Sequence, residues 1–531
     1  MPERGLSLRR QAGQLTVREA TLALLREFGI TKVFGNPGST ELPMFRDFPD
    51  DFEYVLGLQE SIVLAMADGY AQATRNAALV NLHSAAGTGH ALGNLFTAFK
   101  NQTPLIVTAG QQARSILPFE PFLHAERASE FPRPYVKFSI EPARAEDVPL
   151  AIARAYHTAM QAPRGPVFVS VPVDDWDMPC PSVQARRVHS ATIAPPDIID
   201  GIAGRLGAAR QPAFVVGAGV ALDDAWDETI ALAEKTRAAV YVAPMSGRNS
   251  FPEDHPLFAG FLPADRAGIV AALDGHDLVL ALGAPVWVYH VEGEGPHAPE
   301  GTEIIQLGAD PEMANRAAAG YAVISDLALA LGALARQVKA TERPHPQVPA
   351  RPAELDGSAF TDAYLLQQVA KLRPQGAIIV EEAPSSRGPM HDHLPITDRD
   401  GFFTCASGGL GHGLPAAIGV AKGRSGEKVI ALIGDGSSMY AIQGLWSAVQ
   451  QDLAISYIII KNGKYEALEQ FGRHFGLDRT IGTKLPDMDF VGLARAQGMQ
   501  AEAVSDPAAL DDALRRSFAA PHSTLIEVTV E

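Results

Sequence analysis

At 531 residues the chain has room for about three domains. Apolar residues make up 47% and charged residues 20%, so a disordered chain is excluded. The balance of 61 acidic against 44 basic side chains, net −17, argues against a binder of nucleic-acid phosphate. Two cysteines, Cys180 and Cys405, exclude a disulfide scaffold and a cysteine-based zinc site, and they fit a reducing compartment.

The first residues, through Arg9-Arg10, lack the apolar stretch of an export signal and read as a short, frayed leader. No apolar run reaches the ~18–20 residues of a membrane span, so a cytoplasmic protein is expected. Thr16 and Glu19 predict a capping box, and Val17, Leu22, Leu25 and Phe28 follow at helical spacing up to Gly29. A short strand, 32–34, then feeds the loop Gly35-Asn36-Pro37-Gly38-Ser39. Apolar runs at 54–58, 79–82, 104–109 and 166–173 alternate with helix-length segments. Continuous apolar strands imply burial on both faces, hence parallel sheets covered by helices.

The rhythm resumes at 213–216, 239–243, 278–282 and 304–307, and again at 378–380, 429–433, 455–460 and 524–528. Proline-rich breaks at 179–196 and 344–352 read as linkers. The expectation is an α/β chain of three doubly wound parallel-sheet domains, at 1–185, 195–340 and 355–531. Gly217-Ala218-Gly219 follows a strand as a dinucleotide turn would, but no acidic residue closes the next strand. The middle domain therefore reads as a Rossmann-like spacer without nucleotide, and no basic cluster suited to coenzyme A is visible.

The strongest local signal is the buried strand 429–433 running into Gly434-Asp435-Gly436-Ser437, with Asn462-Gly463 after a second buried strand. Ligands of open parallel sheets collect beyond the carboxyl ends of strands. A carboxylate, an amide oxygen and a backbone carbonyl there are hard oxygen ligands for a Mg²⁺ that also holds a diphosphate. Gly-Asp-Gly alone is an ordinary turn; the two strands and the Asn make it a site. Glu60, after strand 54–58, opens a helix over 61–72. A carboxylate there also serves as a plain N-terminal helix charge worth ~0.3–1 kcal/mol, and spacing does not separate the two roles.

Gly434-Asp435-Gly436 with Asn462 resembles the thiamine diphosphate fingerprint of the pyruvate decarboxylase and acetolactate synthase superfamily. Along nearly the whole chain, Gly35 to Ser39, Leu58-Gln59-Glu60, the segment from Asn81 through His83 to Gly89, Thr108 to Gln112, Gly283 to Val286 with Tyr289-His290, and Gly408-Gly409-Leu410-Gly411 are similar to the benzoylformate decarboxylases. The resemblance implies thiamine diphosphate and Mg²⁺ as cofactors, with a pyrimidine-binding first domain and a diphosphate-binding third. Glu60 would meet the aminopyrimidine, the Gly408 carbonyl would accept from its amino group, and Leu410 would hold the bent cofactor. Asp435, Asn462 and the Lys464 carbonyl would bind the metal. Gly434, Gly436, Ser437 and Tyr465 would seat the diphosphate; Lys464 stands where the family has a small hydroxyl residue, a change a backbone ligand tolerates.

His83 and His290 match the family's two active-site histidines, and Ser39 the hydroxyl that holds the substrate carboxylate. Histidine suits such proton movements. Ser39, Phe122, Leu123, Thr404 and Phe471 fall where the family lines its substrate pocket, which favours an aromatic 2-oxo acid. Thr404 replaces an aromatic residue, Pro384 a small hydroxyl residue, and Glu466 and Glu469 less acidic ones. His90 and His412 lie near matched motifs as candidate pocket lining, and His391-Asp392-His393 reads as a solvated loop. The implied reaction is non-oxidative decarboxylation of benzoylformate to benzaldehyde and CO₂, with carboligation as a side activity. The active unit would be at least a homodimer, in the family a homotetramer, with no nucleic-acid or membrane partner. Decarboxylation of phenylpyruvate or branched-chain acids and an acetolactate synthase-like or 2-hydroxyacyl-CoA lyase-like carboligase are the nearest alternatives. A non-catalytic binding protein and an NAD-dependent dehydrogenase are further ones.

Overall fold

The computed structural model describes residues 15–531; the short leader expected from the first residues lies outside the described residues. These residues form two compact units, one of residues up to 189 with 418–424, the other of 190–417 with 425–531. Three six-stranded sheets, each parallel throughout, form the framework. No helix among the described residues is long and apolar enough to cross a membrane.

The first unit holds one six-stranded sheet, in the order Glu53–Leu56, Lys32–Gly35, Ala78–Leu82, Leu105–Gln111, Val167–Pro172, Ser139–Ile140. Its entry helix, Val17–Glu27, begins with the expected capping box: Thr16 Oγ1 accepts from the Glu19 amide at 3.2 Å and Glu19 Oε2 from the Thr16 amide at 2.8 Å. Val17, Leu24, Leu25 and Trp176 fill a core shared with strands 78–82, 105–111 and 167–172. The proline-rich break after residue 179 is not all linker, because Pro179–Cys180 pairs antiparallel with Leu15–Thr16.

The second unit holds two sheets. One runs Phe258–Phe261, Ala239–Val242, Pro212–Val216, Leu278–Leu282, Glu303–Gly308, Tyr321–Ile324. Numbered along the chain this is 3-2-1-4-5-6, the order of dinucleotide-binding folds, whose ligand sits where the order reverses. Here that point is closed by the protein itself. The Gly219 amide donates to the Gly283 carbonyl at 2.9 Å, and a Cβ on Gly219 would lie 2.5 Å from Gly283 Cα. The glycines at 217 and 219 thus serve backbone-to-backbone packing, and the Gly219 amide is spent within the chain.

The other sheet runs Phe402–Thr404, Ile378–Glu382, Val429–Gly434, Ile455–Lys461, Thr524–Thr529, Gln500–Val504. This is 2-1-3-4-6-5, the same order as in the first unit. In both, the reversal falls between the first and third strands, so ligand-binding loops are expected after those strands and their neighbours. Buried Ile430, Leu432, Ile458, Ile460, Ile526 and Val528 form the core of this layer with helices Asp362–Leu372 and Pro507–Ala519.

The pair of histidines at 391 and 393 is not a solvated loop. It lies on the helix Arg387–His393, and His391 is largely buried against the Phe261 ring at 4.2 Å with Nδ1 2.9 Å from Glu253 Oε1. His393 Nδ1 lies 2.9 Å from Gln367. The proline-rich segment 344–352 has no regular structure, yet Arg351 anchors it by donating to the Glu253 carbonyl.

Candidate active site

In the first unit, the loops after strands Lys32–Gly35, Glu53–Leu56 and Ala78–Leu82 bring together Ser39, Glu41, Glu60 and His83. Glu60 is the first residue of the helix Glu60–Thr74, one residue earlier than the sequence predicts, because the Gln59 side chain caps it by accepting from the Ser61 amide at 2.7 Å. The Glu60 carboxylate is buried. The Asn36 amide approaches Oε1 at 3.4 Å, and His90 Nδ1 lies 3.1 Å from Oε2.

His83 is the residue between strand Ala78–Leu82 and helix Ser84–Lys100, and Ser84 turns the corner with φ 50°, uncommon for a residue with a side chain. Its Nδ1 lies 2.9 Å from Glu41 Oε2 and 3.2 Å from Thr40 Oγ1. Glu41 is buried and accepts two further backbone amides, Gly38 at 3.0 Å and Gly110 at 3.1 Å, while the Thr40 hydroxyl donates to its other oxygen. With the Thr40 proton spent there and both carboxylate oxygens acceptors, the Nδ1 of His83 must carry the proton. That leaves Nε2 as the nitrogen for proton exchange. The approach is so close that a Cβ on Gly38 would lie 2.0 Å from His83 Nδ1. Glu41 was not singled out by the sequence reading; an acidic residue two positions past Ser39 in a glycine-rich loop was the available signal.

Ser39 is exposed in the same loop. Phe122 is 97% exposed, and the neighbouring Leu123 carbonyl accepts from the Ser84 hydroxyl at 2.8 Å. Phe122 therefore lines no pocket within this unit, whereas Leu123 is tied to the His83 corner.

In the second unit, Asp435 starts a short helix at the end of strand Val429–Gly434. Its Oδ2 accepts from the amides of Asn462 at 3.1 Å and Gly463 at 2.7 Å, and Asn462 Oδ1 accepts from the Lys464 amide at 3.1 Å. One turn thus gathers a carboxylate, a carboxamide oxygen and a chain of carbonyls. These hard oxygens fit Mg²⁺, and the strand-end position fits a diphosphate. Burial pushes the Asp435 carboxyl up, opposed by the amides of Gly436, Gly463 and Asn462. Gly436 has no room for a side chain, since a Cβ would lie 2.2 Å from the Tyr465 ring. Ser437 is buried beside it.

Gly408 adopts φ 70°, in the left-handed region that favours glycine, and so turns the loop that carries Leu410. The next amides, of Gly411 and His412, donate to Glu382 at 2.6 and 2.7 Å, and that of Gly413 donates to it too. Glu382 therefore fixes the loop from below, and burial raises its carboxyl. His412 is buried in this loop. Glu466 pairs with Lys464 and Arg473, and Glu469 with Lys484, so these acidic replacements are neutralised locally.

His290 and Phe471 come together: their rings meet edge to face at 4.5 Å. Thr404 differs from expectation. It is 4% exposed, its hydroxyl donates to Glu381 Oε2 at 2.7 Å, and it accepts from Arg387 Nη2 at 3.1 Å. It props a buried ion pair and forms no pocket wall. The Cys405 thiol, pushed up to about 12 by burial, is no nucleophile.

Two oxygen-rich loop clusters at the carboxyl ends of two sheets of one topology suit an enzyme that carries a diphosphate cofactor. Three family models agree: thiamine pyrophosphate enzyme, N-terminal TPP binding domain, matches residues 15–129, the central domain 199–334, and the C-terminal TPP binding domain 385–528. The chain belongs to the thiamine pyrophosphate enzyme family, and its cofactor is thiamine diphosphate. Among its relatives, benzoylformate decarboxylase of Pseudomonas aeruginosa is 42% identical over 522 residues, 97% of this chain and 99% of that protein. The crystal structure of benzoylformate decarboxylase from Polynucleobacter necessarius matches with TM-score 0.95 at 40% identity, over 97% of this chain and 98% of that one. The thiamine diphosphate-dependent 4-hydroxybenzoylformate decarboxylase of Rhodococcus jostii RHA1 matches with TM-score 0.95 at 42% identity, over 97% and 99%. Acetolactate synthase of Arthrospira platensis is more distant, 24% identical over 91% of this chain and 88% of that protein.

Proposed function

We propose that the chain is a thiamine diphosphate- and Mg²⁺-dependent decarboxylase that converts benzoylformate to benzaldehyde and CO₂, with carboligation as a side activity. The observation that carries this reading is the clamped imidazole of His83. A histidine held in one tautomer by a buried carboxylate is built to pass protons, which a decarboxylase needs and a carboligase must suppress.

Bound thiamine diphosphate supplies the carbon nucleophile and the electron sink for CO₂ loss. Glu60 holds a proton at the aminopyrimidine ring, and the Gly408 carbonyl accepts from its amino group. Leu410 would pack against the cofactor. Asp435, Asn462 and the Lys464 carbonyl hold Mg²⁺, while Gly434, Gly436, Ser437 and Tyr465 seat the diphosphate. The Ser39 hydroxyl anchors the substrate carboxylate. His83 and His290 move protons on the substrate, and Phe471, Leu123 and Phe122 favour an aromatic group, with Thr404 acting from behind. The active unit is at least a homodimer, a homotetramer in the form the family takes, and the compartment is the cytoplasm.

Proton NMR of the holoenzyme with benzoylformate, pyruvate, phenylpyruvate and 2-oxoisovalerate in competition tests the reading. Benzaldehyde is expected to appear first. A hydroxyketone with no free aldehyde would make the chain a carboligase, and consumption of a different acid would move the specificity.

A further inference from the structure

Two histidine–carboxylate pairs lie along the start of helix Ser84–Lys100: His83 with Glu41, and His90 with Glu60. His83 at the N-cap, Gly87 and His90 follow one another at the spacing of a single helix stripe. Gly87 is the gap in that stripe, since a Cβ there would lie 3.3 Å from Glu60 Oε1 and 3.5 Å from His83 Cβ. The Glu60 side chain packs against the helix at this gap, beside the turn that carries His90. One turn further on, Asn94 donates to the Ser61 carbonyl and hydroxyl, each at 2.9 Å, which fixes the start of helix Glu60–Thr74 against the same stripe.

The two pairs differ in how their carboxylates are filled. Glu41 has four donors for its four lone-pair sites: the amides of Gly38 and Gly110, the Thr40 hydroxyl and His83. It has no place for a proton, so it pins its imidazole. Glu60 is also buried, yet its one close donor among the described residues is His90 Nδ1 at 3.1 Å. The Asn36 amide, at 3.4 Å, lies beyond the usual hydrogen-bond range. Glu60 therefore has lone pairs to spare for a proton. The His90 side chain is 64% exposed, and its Nε2 has no protein partner among the described residues. Other charged groups on the packed elements are engaged elsewhere. Asp68 accepts from Gln72 and Asn101, and on the loop whose Phe131 borders Gly89, Arg127 pairs with Glu126 and Glu130.

We propose that His90 is the proton port of Glu60, passing protons between solvent and the buried carboxylate through its two ring nitrogens. With Glu60 ionised, Nδ1 carries the ring proton and donates it to Oε2. A proton from water binds Nε2; the Nδ1–H bond then breaks as an O–H bond forms at Oε2. A neutral imidazole protonated at Nε2 and a neutral carboxyl remain, and the reverse sequence returns the proton to water. His90 is more than pocket lining, but it acts through Glu60 and is a positioning residue. The inference rests on the reading above, in which Glu60 holds a proton at the aminopyrimidine ring.

The test reads deuterium exchange at the thiazolium C2 of thiamine diphosphate in the Mg²⁺-loaded enzyme, without substrate, by acid quench and proton NMR. Only cofactor retained after desalting is measured, so weakened binding does not mimic slow exchange. A positioned proton-transfer group contributes about 10²–10⁴ in rate, so His90→Ala and His90→Asn should both exchange about 10² more slowly. Asn keeps an N–H donor for Glu60 but cannot pass a proton on. Added imidazole can, and should speed exchange in His90→Ala by about tenfold or more. An Asn variant that exchanges like the wild type, or an Ala variant unresponsive to imidazole, overturns the proposal. Nitrogen-15 NMR of the histidine-labelled apoprotein gives a readout without cofactor, with the His90 signals assigned by their loss in His90→Asn. At mildly alkaline pH the wild type should carry its ring proton on Nδ1; a ring protonated at Nε2 alone overturns the proposal too. Inactivity toward benzoylformate with fast C2 exchange and the Nδ1 proton intact would sink the decarboxylase reading alone.

Discussion

Replacing Glu41 by Gln tests the His83 clamp. The carboxylate accepts from the Gly38 amide and His83 Nδ1 on one oxygen and from the Gly110 amide and the Thr40 hydroxyl on the other. A carboxamide has one acceptor oxygen and one NH₂ group, so in either orientation two donors face a donor. The arrangement with NH₂ toward His83 moves the imidazole proton from Nδ1 to Nε2, which relieves one clash and leaves the Gly38 amide unpaired. One lost bond to a charged acceptor is worth about 1.5–3 kcal/mol in stability. The functional cost is larger, because the nitrogen that exchanges protons is now in the wrong tautomer, and positioned acid–base catalysis contributes about 10²–10⁴ in rate. Steady-state benzaldehyde formation should show kcat falling by at least about 10², with thiamine diphosphate affinity, read by fluorescence quenching, close to wild type. A Gln variant with wild-type kcat would refute the clamp.

Asp435→Asn removes the anionic member of the oxygen set; Mg²⁺-dependent retention of thiamine diphosphate on a desalting column should weaken by about tenfold or more. Gly219→Ala sets a Cβ against the Gly283 backbone and should cost about 1–3 kcal/mol in denaturant unfolding; a neutral result would show that the two turns are not in contact. Burial lowers the Lys137 ammonium to about 8 from 10.5, so between these values the unfolded chain binds the extra proton. Stability contributed at this position therefore rises as pH goes from 8 toward 10.5, and Lys137→Met should remove that part of the slope in pH-dependent melts.

The central strands were legible in the sequence because burial on both faces writes a continuous apolar run, as in 429–433 and 455–460. The strands of the three six-stranded sheets that escaped the reading, Ser139–Ile140, Phe258–Phe261, Tyr321–Ile324, Phe402–Thr404 and Gln500–Val504, all lie at sheet edges. An edge strand has one neighbour and often an open face; Tyr321–Ile324 and Gln500–Val504 each bury a single residue fully, and their sequences look like loop. The candidate site divides in the same manner. Gly434 to Ser437, Asn462 and Glu60 stand out because strand, turn and polar residue are adjacent in sequence. Glu41, Glu381 and Arg387 gain their meaning from partners that only folding brings near: Glu41 meets Gly110 across 69 positions and Arg387 meets Thr404 across 17. Thr404 stood out as an unusual residue, but that its hydroxyl serves an ion pair could be read only from the folded chain.

The most direct measurement starts from protein stripped of cofactor by dialysis against a chelator, offered benzoylformate with thiamine diphosphate and Mg²⁺ added separately and together. The account predicts benzaldehyde and CO₂ in equal amounts only when both are present, and none from Glu60→Gln under the same conditions. Aldehyde formation without thiamine diphosphate, or a Glu60→Gln protein that turns over like the wild type, would contradict it.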